Sequence, residues 1–167
     1  MTLLSVKNLT VEFPTPDGLV QAVHDTSFSV SAGETLAIVG ESGSGKTVTN
    51  LALMGLIPKR TANITGSAIF ETKDGPVDLI SIDRNELRKY RGKDIAMIFQ
   101  DPLASLDPRM NIGEIIAEPL RTHYPKTPEA DVKLRVSDVM NKVGLLDNLV
   151  NRYPHEFVDP QVEPPKS

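Results

Sequence analysis

The sequence predicts an α/β fold, and three observations carry that expectation. A short β-forming run, Thr35-Leu36-Ala37-Ile38-Val39, leads into the glycine-rich stretch Gly40-Glu41-Ser42-Gly43-Ser44-Gly45-Lys46-Thr47, and Val48 to Met54 continues with residues that suit a buried helix. Ser5 to Phe13 alternates polar and apolar residues over most of its length, and Ala22 to Val30 does so less strictly, so two paired strands are expected around a turn at Asp17-Gly18. From Asn111 onward the pattern turns helical.

The remaining elements follow from local chemistry. Ser31-Ala32-Gly33-Glu34 reads as a tight turn into the Thr35–Val39 strand. Ile64 to Phe70 and Val77 to Ile80 read as strands around Lys73-Asp74-Gly75-Pro76, and Asp83 as the cap of a helix from Arg84 to Arg91. Ile95 to Phe99 is continuously apolar, as a strand buried on both faces would be. Ile112 to Ala117 opens a helix that Pro119 is expected to kink or end, and Thr127 caps the next, with Pro128 at its first position. Val132, Val136, Val139, Met140 and Val143 form one apolar stripe, read as core packing, and Gly144 stops that helix.

The stretch from Gly40 to Thr47 fits GxxxxGK followed by Ser or Thr, a loop that wraps backbone N–H groups around nucleotide phosphates. Glycines at 40, 43 and 45 let the backbone take left-handed conformations and approach phosphate oxygens closely. N–H groups from Ser42 to Val48, by way of Gly43, Ser44, Gly45, Lys46 and Thr47, are then expected to point at the β-phosphate, helped by the positive end of the helix. Lys46 is expected to reach the β- and γ-phosphates as a point charge, and the Thr47 hydroxyl to ligate Mg²⁺.

Composition narrows the alternatives. With 167 residues, 40% hydrophobic and 24% charged, the chain is long and apolar enough to build a core. A net charge of −4 gives no overall basic footprint, which argues against nucleic acid as the main partner. No cysteine is present, so disulfides and thiol chemistry are excluded and a reducing cytoplasm is the natural compartment. There is no run of about eighteen apolar residues and no secretion-signal core, so any membrane role is expected to come through a partner subunit. His24, His123 and His155 lack ligand spacing, and Asp83, followed by Arg84, reads as a helix cap rather than a cation-holding acid. The DxxG and NKxD signatures of guanine-nucleotide switches are absent.

Further along, Ile95-Ala96-Met97-Ile98-Phe99-Gln100-Asp101-Pro102 and Ser105-Leu106-Asp107-Pro108 resemble the Q-loop region of ABC transporter ATPases, in the branch that powers uptake of oligopeptides, dipeptides, nickel or glutathione. Arg91-Gly92-Lys93 and Tyr153-Pro154-His155-Glu156-Phe157 are similar to that branch in the same order, so the likeness covers Leu3 to Phe157. The resemblance implies a P-loop NTPase of ABC ATPase type: a partial RecA-like core with an antiparallel β-subdomain (1–110), then a helical subdomain (111–157). It implies ATP and Mg²⁺ as cofactors. Phe13 falls on the aromatic position that stacks on adenine, the other reading being a core strand residue. Gln100 falls on the glutamine that touches Mg²⁺ or positions the attacking water, and Asp101 to Met110 on the segment near the membrane subunits. The implied partners are those membrane subunits, a second ATPase subunit and, indirectly, an extracytoplasmic solute-binding protein, with the chain on the cytoplasmic face of the membrane.

The sequence also departs from the family. Where the family continues with Ser-Gly-Gly-Gln, Val158-Asp159-Pro160-Gln161 stands here, and no strand ending in Asp-Glu (Walker B) or later switch histidine follows. The segment 158–167 is expected to be a disordered tail unrelated to the family. The function implied is therefore that of the amino-terminal part of an ATP-binding import subunit, inactive alone in hydrolysis. The alternative is a truncated, non-hydrolysing fragment that binds nucleotide or docks on membrane subunits.

Overall fold

The computed structural model describes residues 1–101 and 105–157, and the chain divides into two units, Met1–Arg91 and Gly92–Ser167. The division falls ahead of Asn111, where the sequence turns helical. The expected tail at 158–167 lies outside the described residues.

In the first unit, β1 (Thr2–Thr15) and β2 (Gly18–Ser31) form a long antiparallel ribbon, extended by β3 (Asn63–Thr72) and β4 (Gly75–Asp78) into a sheet of order β2-β1-β3-β4. Two polar residues in succession, Lys7 and Asn8, would throw the alternation of β1 out of phase. A bulge absorbs the extra residue, with Asn8 at φ 51 and pairing that passes from Lys7↔Ser67 to Thr10↔Thr65. Val6, Leu9 and Val11 are thereby all buried. The Asn8 N–H donates to Ser27 Oγ and its amide to Asp25, itself at φ 43. Opposite the bulge, Gly66 has φ 98, and a Cβ there would come within 2.5 Å of the Asn8 carbonyl oxygen.

Helix α1 (Lys46–Leu53) packs on β1 and β2 through Thr49, Ala52 and Leu53. It ends in a left-handed Gly55, with Gly55 N donating to Ala52 O and Leu56 N to Leu51 O, which satisfies its last carbonyls. Asp83 caps α2 (Arg84–Leu87) by accepting from Asn85 N at 2.8 Å, as expected, but the helix stops at Leu87 rather than Arg91.

Two expected strands do not form among the described residues. Thr35–Val39 and Ile95–Phe99 carry no ladder of strand hydrogen bonds, and within them Val39 and Ile98 are about nine-tenths exposed. The reason is that a strand of a parallel sheet exists only through its neighbours, and no described strand lies alongside either segment. Ile95 keeps one contact, its carbonyl accepting from Gly92 N.

The second unit holds α3 (Ile112–His123) and α4 (Glu129–Lys142), followed by 3-10 turns at Asp147–Leu149 and Pro154–Phe157. A capping box starts α3: Asn111 Oδ1 accepts from Glu114 N and Glu114 Oε2 accepts from Asn111 N. Of the two expected outcomes at Pro119, a kink or an end, the end does not occur: α3 runs through to His123, and Ala117, Ile116 and Leu120 on either side are held against the α4 core. Thr127 does not cap α4 either. Extended Pro128 (ψ 143) occupies that position, and the negative charges of Glu129 and Asp131 offset the first turn's free N–H groups instead. Of the expected stripe, Val132, Val136 and Met140 are buried against α3, whereas Val139 and Val143 lie on its margin, exposed. Gly144 (φ 77) ends the helix, with Gly144 N bonded to Asn141 O and Leu145 N to Met140 O.

Replacing Gly66 by Ala forces a strained φ onto a crowded Cβ, and thermal unfolding of the chain is expected to show a loss of about 1–3 kcal/mol. Asn111→Ala removes one arm of the capping box, and the same measurement is expected to show a loss of about 1 kcal/mol.

Candidate functional site

The glycine-rich loop is the most specific candidate, and its position is set by two glycines. Gly45 stands at the N-cap of α1 with φ 83, and a Cβ there would overlap the Ala22 carbonyl oxygen and meet Val23 Cγ2 at 3.3 Å. Ala22 itself is a bulge: pairing passes from Val11↔Val23 to Glu12↔Gln21 and leaves it without an opposite residue. The ribbon is therefore shaped to receive the loop. At the other end, a Cβ on Gly40 would lie 2.6 Å from Ser44 Oγ, so the loop folds back over residue 40.

Within the loop, Ser44 N donates to Glu41 O at 3.2 Å, closing a turn through Ser42 and Gly43, and Gly43 is left-handed at φ 83. That N–H is thus engaged inside the loop. Helix α1 has no side-chain cap, so the N–H groups of Lys46, Thr47 and Val48 have no acceptor within the helix and carry its positive end. Lys46 Nζ donates to Gly40 O at 2.6 Å, Glu41 O at 2.7 Å and Ser44 Oγ at 3.0 Å. Thr47 is exposed in the first turn, while Thr49 turns inward and donates to Gly45 O at 3.0 Å. The arrangement offers an anion a run of backbone donors with an ammonium beside it.

Phe13 is half-buried in β1, opposite Val20 and two residues beyond buried Val11, so it shares the face of the ribbon on which Val11 lies. Gln100 is exposed and belongs to the second unit. Pro102 of its motif lies outside the described residues. Beyond it, Asp107 accepts from Arg109 N, Nε and Nη2 at 2.8–3.1 Å, and the Arg109 guanidinium, with the backbone N–H, pulls the carboxyl down to about 2. The pair lies at the surface.

Among the described residues no three or more His, Asp or Glu gather to hold a metal ion. The groups suited to a cation are therefore single oxygens such as the Thr47 hydroxyl, a sparse set of the kind Mg²⁺ accepts when phosphate oxygens and water complete its shell. Among the described residues no helix is long and apolar enough to cross a membrane. The seat of Gly45 on the Ala22 bulge and the triple engagement of Lys46 were not foreseen from sequence. The only advance signal was the imperfect alternation of Ala22 to Val30.

The fold is that of ABC ATPase cassettes. The dimeric structure of MJ0796, a bacterial ABC transporter cassette, superimposes with a TM-score of 0.78 at 22% identity, over 92% of this chain and 62% of that one. A structure of cbiO1 from Clostridium perfringens, part of a cbiONQ ABC transporter complex, gives 0.63 at 23% identity over 92% and 55%. In sequence, the chain is 46% identical to the oligopeptide transport ATP-binding protein OppF of Salmonella typhimurium, over 93% of this chain and 46% of that protein. It is 47% identical to OppD of Haemophilus influenzae, over 93% and 47%. The dipeptide transport ATP-binding protein DppD of Lactococcus lactis is 46% identical over 93% and 44%. The chain thus spans about half the length of these relatives. The ABC transporter family model matches residues 23–159, and by that match the chain belongs to the ABC transporter family.

Proposed function

We propose that this chain is the nucleotide-binding part of an ATP-binding subunit of an importer for peptides or similar small solutes. The observation that carries the reading is the loop at Gly40–Val48, capped by left-handed Gly45, with the Lys46 ammonium beside free first-turn N–H groups. The names of the relatives, oligopeptide and dipeptide transport ATP-binding proteins, supply the solute class.

In this reading the backbone N–H groups of Gly43, Gly45, Lys46, Thr47 and Val48 hold the phosphates of ATP, with Ser42 and Gly40 shaping the turn. Each charge-assisted hydrogen bond contributes about 1.5–3 kcal/mol. Lys46 neutralises the outer phosphates and the Thr47 hydroxyl takes one site on Mg²⁺, which offsets phosphate charge when bound. Phe13 stacks on the adenine, supported by its partial exposure on the face shared with Val11. Gln100 serves as a second cation or water contact. None of these side chains is a base for the attacking water, so binding is the activity assigned to them.

The segment 101–110 is the proposed contact for membrane subunits at the cytoplasmic face, and within it Asp107 and Arg109 present an exposed ion pair. A second ATPase subunit is a further proposed partner, and a solute-binding protein acts through the membrane subunits. The organisation proposed is a nucleotide-binding part over 1–110 and a helical part over 111–157.

Titration of the chain with a fluorescent ATP analogue and Mg²⁺ tests the reading. Lys46→Ala is expected to weaken binding by about tenfold to a hundredfold, the loss of one charged contact, and equal affinity for both chains rejects it. Gly45→Ala presses a Cβ onto the Ala22 carbonyl, and the same titration is expected to show a loss of about tenfold or more.

A further inference from the structure

The geometry points to the Ser44 hydroxyl as a resident acceptor on Lys46 that gives way to an incoming phosphate. The inference rests on the nucleotide reading above and adds a residue that sets its affinity.

An ammonium has three protons to donate. Those of Lys46 are all engaged, by Gly40 O at 2.6 Å, Glu41 O at 2.7 Å and Ser44 Oγ at 3.0 Å. A phosphate oxygen that bonds to Lys46 must therefore displace one of the three. Two are backbone carbonyls, and moving either one rearranges the loop. The third ends a side chain with one rotatable bond, makes the longest contact, and sits on a residue whose backbone is already tied by Ser44 N to Glu41 O. Rotation of Ser44 alone releases it. The room it occupies exists because residue 40 is glycine, since a Cβ there would stand 2.6 Å from the hydroxyl.

The exchange favours the phosphate, because an anionic acceptor bonds an ammonium more strongly than a neutral hydroxyl does. The hydroxyl still competes, so the free chain binds more weakly than the loop otherwise permits. Removing that acceptor is expected to tighten nucleotide binding, the reverse of what truncating a ligand contact does.

Two measurements on the whole chain test this. In titrations with the fluorescent ATP analogue and Mg²⁺, Ser44→Ala is expected to bind about two- to fivefold more tightly, and Ser44→Thr, which keeps the hydroxyl, close to wild type. In the nucleotide-free chain, trace acetylation by acetic anhydride read by mass spectrometry is expected to modify Lys46 about twofold faster or more in Ser44→Ala, with Lys59 and Lys126 as internal references. Weaker or unchanged binding by Ser44→Ala, with Lys46→Ala still impaired, overturns the inference and leaves nucleotide binding standing. If no variant binds nucleotide, the functional reading fails, and the acetylation rates alone decide: equal rates at Lys46 overturn the resident contact, and a faster rate in Ser44→Ala supports it.

Discussion

Gly45 lies so near the Ala22 carbonyl that no side chain fits between them, and much of the first unit is arranged around that approach. The strand bulge presents the carbonyl, the left-handed glycine turns the chain there, and α1 begins in the next residue with its donors uncapped. The direction of those donors is thus set by the antiparallel ribbon from below. This explains how the loop keeps its form although Thr35–Val39, which leads into it, is in no sheet.

A second irregularity serves the same ribbon. The bulge at Asn8 keeps Val6 on the same buried side as Leu9 and Val11, and Gly66 on the neighbouring strand leaves room for it. The polar residues at the bend, Asn8, Asp25 and Ser27, satisfy one another at the surface. One continuous apolar face results, on which α1 lays Ala52 and Leu53.

Local chemistry was legible wherever it was self-sufficient. The hairpin around Asp17-Gly18, the helix after the loop, the Asp83 cap and the stop at Gly144 need only their own residues and near neighbours, and all are present. Thr35–Val39 and Ile95–Phe99 have strand composition, but pairing is a property of two segments and the sequence of one does not supply the other. Thr127 was misread for a related reason. The backbone of Pro128 took the cap position, and of the two outcomes local rules allow at Pro119, a kink or an end, packing on α4 excludes the end. At the site, the motif singled out Lys46 but was silent on its contacts within the loop, which depend on how the loop curls back.

The unpaired run from Thr35 to Val39 has a colloidal consequence. It presents free amide edges and bare aliphatic side chains to solvent, with Val39 almost fully uncovered. Such a ribbon is a template for cross-β growth between molecules, and the prolines and charges that guard natural edges are missing from its five residues. Association between molecules through this edge therefore rises steeply with concentration, and what covers it governs the chain's lifetime in a crowded solution.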